Sequence, residues 1–337
     1  NGLVCRMAGK PGIFMRGDCM KTRAACLVKP GKVEVVEKDL KIKDDEILVK
    51  TYQASICGTD KMMYRGELAK DPYPIFFGHE GGGTVVEVGS KVHIYKPGDR
   101  VMSFFRHNTF ADYFVAREKS LQPVPEKMDM VTASIGEPLG CAMFSVLESG
   151  VRLGDYVVVV GAGFAGQVMV QGAKAQGAYK VIAVDPVPGK LELALKMGAD
   201  YAINPKESNA KQEIMKITHG HGADVVFEAA GSEASLNFST SVTRHNGIIV
   251  LYSWIVQKVS LDISSWHHEG LDIRTTCLVH HSVHERFIWA KRALRPVMQG
   301  MVDPKPLLSA EFRLDDIQKA FEATDNQPEL VKVVIKP

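Results

Sequence analysis

The sequence predicts an α/β protein that combines a mostly β domain with a second domain built on a doubly wound parallel sheet. Between Thr22 and about Pro125, short apolar runs alternate with turn residues, which is typical of a barrel-like β domain. From Val131 to about residue 280, strand-like runs alternate with helical ones, which predicts a parallel sheet with helices on both faces. A chain of 337 residues is long enough for both domains.

The strand candidates of the β domain are rich in β-branched residues and are separated by turn residues. In chain order they are AACLV, KVEVVEK, EILVKTYQA, GGGTVVEVG, DRVMSFF, ADYFVA and LQPVP. The segment TASIGEPLGCAMFSVLESG follows them and predicts a helix, because its apolar residues no longer alternate with a period of two.

The second domain is predicted from strands and helices that alternate along the chain. Its strands are YVVVVG (156–161), KVIAVD (180–185), YAIN (201–204), DVVFEAAG (224–231), GIIVLYS (247–253) and LDIRTTCL (271–278). Its helices are AGQVMVQGAKAQG, GKLELALKMG, KQEIMKITHG and EASLNFSTSVTRH. The last segment offers helices around ERFIWAKRALRPVMQG and DDIQKAFEATD and a strand VKVVIK, and it is expected to return to the first domain. The predicted domains are therefore 1–140 with 283–337, and 141–282.

Composition excludes several classes of protein. With 45% hydrophobic and 24% charged residues, the chain is neither disordered nor collagen-like. A formal net charge of +2 provides no field that would attract nucleic acid. The most apolar stretch contains four glycines and two glutamines, so no membrane helix is predicted. The N-terminal stretch has no apolar block of signal-peptide length, and we expect a cytoplasmic protein.

A glycine-rich turn follows the apolar run YVVVV and precedes a predicted helix. Its glycines allow a close approach to a pyrophosphate, whose charge the N–H groups at the helix start stabilise; a purely structural turn is the alternative. Asp185 ends the next strand, where a carboxylate can accept hydrogen bonds from ribose hydroxyls and repel a 2′-phosphate. Lys190 could approach the adenine or a phosphate, or simply be solvated. The predicted NAD-binding residues are Gly161, Gly163, Phe164, Ala165, Gly166, Asp185 and Lys190.

Four residues could supply the sulfur, imidazole and carboxylate ligands of a catalytic zinc site: Cys57, His79, Glu80 and Glu137. Cys57 lies in SICGTDK and His79 and Glu80 in FFGHEGGG, at the ends of strand-like runs. Spacing alone does not prove a site, because a Cys after an apolar strand often packs in a core. The six cysteines never form a C-x-x-C pair, so neither a zinc knuckle nor a disulfide framework is indicated.

Taken together, these motifs resemble the zinc-dependent medium-chain dehydrogenase/reductase family, which contains sorbitol, threonine and alcohol dehydrogenases. The resemblance extends over residues 22–337. It is carried by C-G-T-D at 57–60, G-H-E at 78–80, G-D-R-V at 98–101, E-P-L at 137–139 and the glycine turn with Asp185. It implies a GroES-like catalytic domain and a Rossmann nucleotide domain.

The resemblance also implies roles for individual residues. Cys57 and His79 would bind zinc, and Glu80 and Glu137 would act as the carboxylate ligand and as the group that exchanges with the metal water, in an order that stays open. Thr59 would contact the substrate oxygen and begin a proton relay. Where some members continue that relay through a histidine, this chain has Met62. The cysteine lobe that holds a second, structural zinc is missing after GDRV, which predicts one zinc per chain.

Three functions follow as hypotheses. The first is a zinc- and NAD-dependent dehydrogenase that interconverts a small polar alcohol, such as a polyol, sugar alcohol or diol, with its ketone or aldehyde. The second is a metal-free reductase of the same superfamily, which would leave the four candidate ligands coincidental. The third is a nucleotide-binding structural protein without turnover. The family usually forms dimers or tetramers, and the run LDIRTTCL is a suitable edge strand for pairing.

The substrate is the least determined feature of the sequence. G-H-E with E-P-L is typical of the polyol and threonine dehydrogenase branch, which favours a small polar alcohol. Arg65 and Arg106 are expected near the opening of the family's pocket, where they would form a cationic rim. Such a rim would instead suit an alcohol or aldehyde that carries phosphate, sulfonate or carboxylate. Solvated or subunit-contact arginines are the alternative for that rim. The candidate substrate residues are Arg65, Phe104, Arg106, His280 and His281.

Overall fold

The computed structural model describes residues 20–68, 72–104, 108–278 and 282–337. The chain divides by packing into two compact units. The first comprises the residues up to Ile135 with Phe312–Glu322 and Val334–Pro337, and the second comprises Gly136–Glu311 and Ala323–Val333. Across the described ranges, no helix is both long and apolar enough to cross a membrane.

The first unit is mostly β, as predicted. Its strands are β1 (Met20–Lys29), β2 (Lys32–Leu40), β3 (Glu46–Ser55), β4 (Ile75–Phe76), β5 (Glu80–Val88), β6 (Arg100–Ser103), β7 (Tyr113–Arg117) and β8 (Leu121–Pro123), and its helices are α1 (Gly58–Tyr64) and α2 (Met130–Ser134). Strands β2, β1 and β4 form one antiparallel sheet. In the larger sheet, β3 pairs antiparallel with both β5 and β7. Ile47, Val49 and Phe114 fill the core beneath it and are almost fully buried.

The second unit is a parallel sheet flanked by helices. Its strands are β9 (Tyr156–Val160), β10 (Lys180–Val184), β11 (Tyr201–Ile203), β12 (Ala223–Glu228), β13 (Thr243–Leu251) and β14 (Asp272–Thr275). Its helices are α3 (Gly136–Glu148), α4 (Phe164–Ala175), α5 (Pro188–Lys196), α6 (Ala210–Ile217), α7 (Glu233–Val242), α8 (Ile263–His268) and α9 (Val283–Met298). The strand order is β11-β10-β9-β12-β13-β14, so the order reverses at β9, where such sheets bind their ligands.

The C-terminal segment contributes β15 (Leu308–Arg313), α10 (Ile317–Asn326) and β16 (Lys332–Lys336). Strand β16 pairs with β3 and extends the larger antiparallel sheet. The predicted domains placed all of 283–337 with the first domain, whereas packing places α9, the residues that follow it up to Glu311, and Ala323–Val333 in the second unit. Helix α9 packs against α3 in that unit, where the ring centroids of Phe144 and Trp289 lie 5.0 Å apart, edge to face.

The fold class is confirmed, and the differences from the predicted elements are local. The helix predicted over TASIGEPLGCAMFSVLESG is two helices, α2 and α3, that are separated at Ile135. Pro138 explains the break, because it lacks the N–H that would bond to Ser134 in one continuous helix but is tolerated in a first turn. The end of the predicted helix EASLNFSTSVTRH belongs to β13. The short elements α1, β4, α8 and β15 were not predicted, because so few residues show no clear period.

Candidate functional site

Three of the four predicted metal ligands lie together where β3 ends and β5 begins. The antiparallel register pairs Ser55 with Glu80, which places the chain leaving β3 beside the chain entering β5. One ligand atom from each of Cys57, His79 and Glu80 lies within 4.8 Å of the other two. A thiol, an imidazole and a carboxylate at this separation match the donor set of a zinc site.

Asp60 orients the imidazole of this cluster, although the sequence analysis assigned it no role. It is fully buried in the first turn of α1 and accepts a hydrogen bond from the backbone N–H of Cys57 at 3.0 Å. Its other carboxylate oxygen lies 3.3 Å from Nδ1 of His79. This contact directs Nδ1 to the carboxylate and leaves Nε2 for a metal. The signal in the sequence is a carboxylate three residues after the residue that caps a helix.

The charges around His79 favour a cation in the cluster. Burial lowers the pKa of His79, but the neighbouring Asp60 and Cys57 raise it by more, so the net pKa lies well above its ordinary value. Carboxylate and thiol groups that stabilise an imidazolium would also stabilise a divalent cation at the same place. The electrostatics therefore fit the metal that the donor set indicates.

The glycine of the G-H-E motif is required by the close packing of this loop. Gly78 has a φ of +97°, and a Cβ there would lie 2.7 Å from the Phe110 ring and 2.9 Å from the Thr109 hydroxyl. Thr109 also donates a hydrogen bond to the backbone oxygen of Glu80 at 2.9 Å. These contacts hold the backbone of the His79–Glu80 pair in place.

The two candidate carboxylates have different surroundings. Glu80 is fully buried at the start of β5, and the hydroxyl of Ser55 donates a hydrogen bond to its carboxylate. Glu137 is the second residue of α3 in the second unit, and the Cys141 thiol donates to it at 3.6 Å. Among the described residues, the three-ligand cluster contains Glu80 and does not contain Glu137.

The predicted cofactor turn has the expected strand, glycine loop and helix. Strand β9 ends at Val160 and α4 begins at Phe164, with Gly163 as its N-cap. A Cβ on Gly166 would lie 1.9 Å from the backbone oxygen of Gly161, so a glycine is needed there. A Cβ on Gly163 would meet nothing within 4 Å, which leaves open space at the positive end of the helix. A pyrophosphate fits this space and charge.

The remaining predicted cofactor residues surround this turn. Asp185 is mostly buried, and its carboxylate accepts hydrogen bonds from the backbone N–H groups of Ala162 at 2.8 Å and Val187 at 2.9 Å. A carboxylate has about four acceptor positions, so capacity for hydroxyl donors remains. Lys190 is half-buried on α5. Ala165 lies in the first turn of α4.

A cation beside the turn was missed by the sequence analysis. Lys332 is only 4% exposed, and its ammonium lies 4.6 Å from the centroid of the Phe164 ring, at the start of α4. It comes from β16, far along the chain, so no local pattern could have associated it with the glycine turn.

The predicted catalytic Thr59 and the predicted substrate residues differ in their surroundings. Thr59 is half-buried in the first turn of α1, two residues after Cys57. Arg65 ends that helix, and its guanidinium lies 3.9 Å from Glu67 at the surface. Phe104 is only 2% exposed and packs in the interior, and its contact with substrate stays a prediction. The other three candidates lie outside the described residues; they are Arg106, His280 and His281.

Comparisons with known proteins agree with both halves of this arrangement. Residues 43–126 match the alcohol dehydrogenase GroES-like domain, and residues 165–292 match the zinc-binding dehydrogenase family. The L-threonine 3-dehydrogenase of Pyrococcus horikoshii is 30% identical, over 90% of this chain and 95% of that protein. The chain belongs to the zinc-dependent medium-chain dehydrogenase/reductase family.

Two further matches are a curated relative and a solved structure. The D-arabitol-phosphate dehydrogenase of Enterococcus avium is 26% identical, over 91% of this chain and 95% of that protein. A solved zinc-binding dehydrogenase structure from Sinorhizobium meliloti 1021, bound to NADP, has 25% identity and a TM-score of 0.83, and covers 94% of this chain and 100% of that one.

Membership of the family confirms the predicted fold class and the predicted type of enzyme. The protein is an oxidoreductase of the zinc-type alcohol and polyol dehydrogenase class, and its cofactors are zinc and a nicotinamide dinucleotide. The hypothesis of a nucleotide-binding protein without turnover is therefore not favoured. The metal-free hypothesis is also disfavoured, since the cluster of Cys57, His79 and Glu80 is assembled as a zinc site requires.

Proposed function

We propose that this protein interconverts a small polar alcohol, such as a polyol, sugar alcohol or diol, with its ketone or aldehyde, using zinc and NAD(H). The observation that carries the proposal is the cluster of Cys57, His79 and Glu80, in which one ligand is a carboxylate. This donor set supports zinc chemistry on an alcohol or carbonyl oxygen. The polyol class of substrate is supported by the relatives, one of which is named a D-arabitol-phosphate dehydrogenase.

The residues of the first unit would hold the metal and move the substrate proton. When bound, zinc supplies Lewis acidity toward the substrate oxygen, and nicotinamide supplies the hydride acceptor or donor. Cys57, His79 and Glu80 bind the metal, and Asp60 keeps the His79 tautomer that presents Nε2. Oγ1 of Thr59 would accept a hydrogen bond from the substrate hydroxyl. Because a neutral hydroxyl cannot hold a second proton, Thr59 would take the substrate proton during oxidation only as its own proton passes to water, and both transfers would run in reverse during reduction. Met62 has no titratable group with which to extend this relay.

The residues of the second unit would bind the cofactor. The N–H groups at the start of α4 bind the pyrophosphate, and Lys332 adds a positive charge next to Phe164. Asp185 accepts hydrogen bonds from the ribose hydroxyls and repels a 2′-phosphate. We therefore propose NAD as the preferred cofactor.

A comparison of kcat/KM with NAD and with NADP tests this preference. The unmodified enzyme should favour NAD by a wide margin, and Asp185→Ala should reduce the preference by removing the repulsion. Glu192→Ala is a matched control, because Glu192 is an exposed carboxylate on the neighbouring helix α5. Equal use of the two cofactors by the unmodified enzyme would overturn the role of Asp185.

A substrate that carries an anionic group is the second candidate function. One relative acts on a phosphorylated polyol, as its name states, and Arg65 and Arg106 are the cations that this chain could offer. The structure weakens the case for Arg65, because Glu67 lies close to its guanidinium. A turnover screen should therefore include neutral polyols and their phosphates, with Arg65→Ala and Arg106→Ala measured beside the unmodified enzyme. Anionic substrates that are favoured, with a KM raised by either substitution, would replace the neutral polyol assignment.

We also propose that the enzyme is a homodimer or homotetramer. Strand β14 is the last strand of the parallel sheet, so its outer edge can pair with a second copy of the chain. Light scattering should give a multiple of the 37.0 kDa chain mass. A mass of one chain at micromolar concentration would contradict the proposal.

A further inference from the structure

A cavity lies in the same unit as the cofactor turn, at the opposite edge of the sheet. Its volume is about 600 Å³. Tyr156, Lys180 and Tyr201 line it, and each is the first residue of its strand, in β9, β10 and β11 respectively. The cofactor turn instead follows the last residue of β9. The cavity is therefore separated from the cofactor turn by the length of the strand.

The cavity begins where the apolar core of the sheet ends. The parallel register aligns Lys180 with Tyr156 and Ile182 with Tyr201, so these side chains point to the same face of the sheet. Helix α6 covers that face, and its Ile214 is in the same core as Ile182. Toward the amino-terminal edge, phenol rings and an ammonium group replace the aliphatic side chains. The C-terminal end of α6 and the turn after it complete the lining.

Aromatic rings provide much of the cavity surface. The rings of Tyr156 and Tyr179 meet edge to face, with centroids 5.5 Å apart. The Lys180 ammonium lies 5.2 Å from the Tyr179 centroid and 5.9 Å from the Tyr201 centroid. Tyr179 is 57% exposed and Tyr201 is 40% exposed. Large ring faces are thus held open to solvent beside a cation, where a second aromatic ring can stack.

The polar groups of the cavity are mostly hydrogen-bond donors without partners. Within the described ranges, the hydroxyls of the three tyrosines and the side chains of Lys216 and His219 make no hydrogen bond or ion pair with the protein. Lys180 lies 3.4 Å from Asp200, so part of its charge is already balanced. Among the lining residues that the structure describes, Glu213 is the one carboxylate. Phenol and ammonium donors together favour a ligand with an anionic acceptor group.

We propose that this cavity binds a planar aromatic molecule that carries one acidic group. The rings of Tyr179 and Tyr201 would stack with the aromatic part, and Lys216 would pair with the carboxylate, sulfonate or phosphate. The volume is within the range of about 300 to 1,000 Å³ that is usual for small-molecule sites. The proposal does not depend on the identity of the alcohol substrate, because the cavity and the cofactor turn lie at opposite edges of the sheet.

Isothermal titration calorimetry with naphthalene-2-sulfonate tests the proposal. The enzyme is first saturated with zinc and with its nicotinamide cofactor, so that the probe cannot enter the cofactor site. Naphthalene-2-sulfonamide has the same ring without the charge, and propane-1-sulfonate has the charge without the ring. We expect saturable binding of the aromatic sulfonate at one site per chain and much weaker binding of both comparison molecules.

Two substitutions assign that binding to the cavity. Lys216→Ala should weaken binding of the aromatic sulfonate about tenfold, by removing a charge-assisted hydrogen bond, and should leave binding of the sulfonamide unchanged. Tyr201→Leu should weaken both. Lys211→Ala is the matched control, because Lys211 is exposed on α6 outside the lining. Turnover should be unaffected in all three variants, which also shows that they fold.

Three results would overturn the proposal. The first is that the cofactor-saturated enzyme shows no saturable binding of naphthalene-2-sulfonate at millimolar concentration. The second is equal affinity for the sulfonate and the sulfonamide. The third is binding that persists undiminished in both Lys216→Ala and Tyr201→Leu, which would locate the probe elsewhere.

Discussion

Asp60→Asn should weaken zinc binding without unfolding the first unit. The carboxylate of Asp60 is fully buried; one oxygen accepts a hydrogen bond from the Cys57 N–H, and the other lies 3.3 Å from Nδ1 of His79. The amide that replaces it has one acceptor oxygen and one donor NH2 group. If the oxygen keeps the bond to Cys57, the NH2 group faces Nδ1 of His79. The imidazole then has to turn away or adopt the tautomer whose proton lies on Nε2, where zinc would bind.

The expected loss can be estimated from the contact that is removed. Removal of a carboxylate that supports a histidine ligand typically lowers metal affinity about 10- to 100-fold, which corresponds to about 1.4 to 2.8 kcal/mol. The bond to the Cys57 N–H also caps α1, so a loss of about 1 kcal/mol in unfolding free energy is expected if the amide turns the other way.

A competition titration against a fluorescent zinc chelator at neutral pH measures the affinity. Thermal unfolding and cofactor binding show whether the two units remain folded. Asp39→Asn is the matched control, because Asp39 is an exposed carboxylate of the first unit that lies on β2 and is not part of the cluster. A zinc affinity within twofold of the unmodified enzyme, in a folded variant, would refute the argument that Asp60 orients His79.

Three other predictions concern the metal, the cofactor and the thiols. Metal analysis should give close to one zinc per chain. The Cys57→Ser variant should lose zinc and turnover but keep cofactor binding, because the glycine turn lies in the second unit. Loss of cofactor binding as well would indicate that Cys57 is a packing residue. In initial-rate measurements, Lys332→Met should raise the KM for the cofactor about tenfold, because a charged contact to phosphate is lost. An unchanged KM would restrict Lys332 to a structural role. Iodoacetamide at pH 8 should label the exposed Cys277 well before Cys26, because burial raises the pKa of the Cys26 thiol. Peptide mass spectrometry measures the two labelling rates, and equal rates would contradict the prediction.

The cofactor turn shows how far the sequence alone could lead. The strand β9, the glycines and the helix α4 are contiguous in the chain, so their apolar run, spacing and helical period could all be recognised locally. The steric need for Gly166 is also local, because the atom that a Cβ would strike belongs to Gly161, in the same turn. A turn of this kind can be predicted from sequence because its conformation depends on the backbone of a few neighbouring residues.

The metal cluster is different, because its members come from separate segments. The sequence identified Cys57, His79, Glu80 and Glu137 as candidates by chemical type and by resemblance, but it left open which carboxylate joins the first two. The pairing of Ser55 with Glu80 between β3 and β5 decides which residues are brought together. The support from Asp60 depends on the same register, since it requires His79 to lie beside the start of α1.

Contacts between distant segments were beyond the sequence altogether. Nothing near Lys332 indicates that β16 brings its ammonium over the ring of Phe164. The cavity of tyrosines and lysines depends in the same way on the order of three strands and on where α6 ends. Local patterns report the backbone preferences and the burial of each segment, and these were enough for the fold class. The neighbours of a side chain depend instead on strand order and register, which only the folded chain determines.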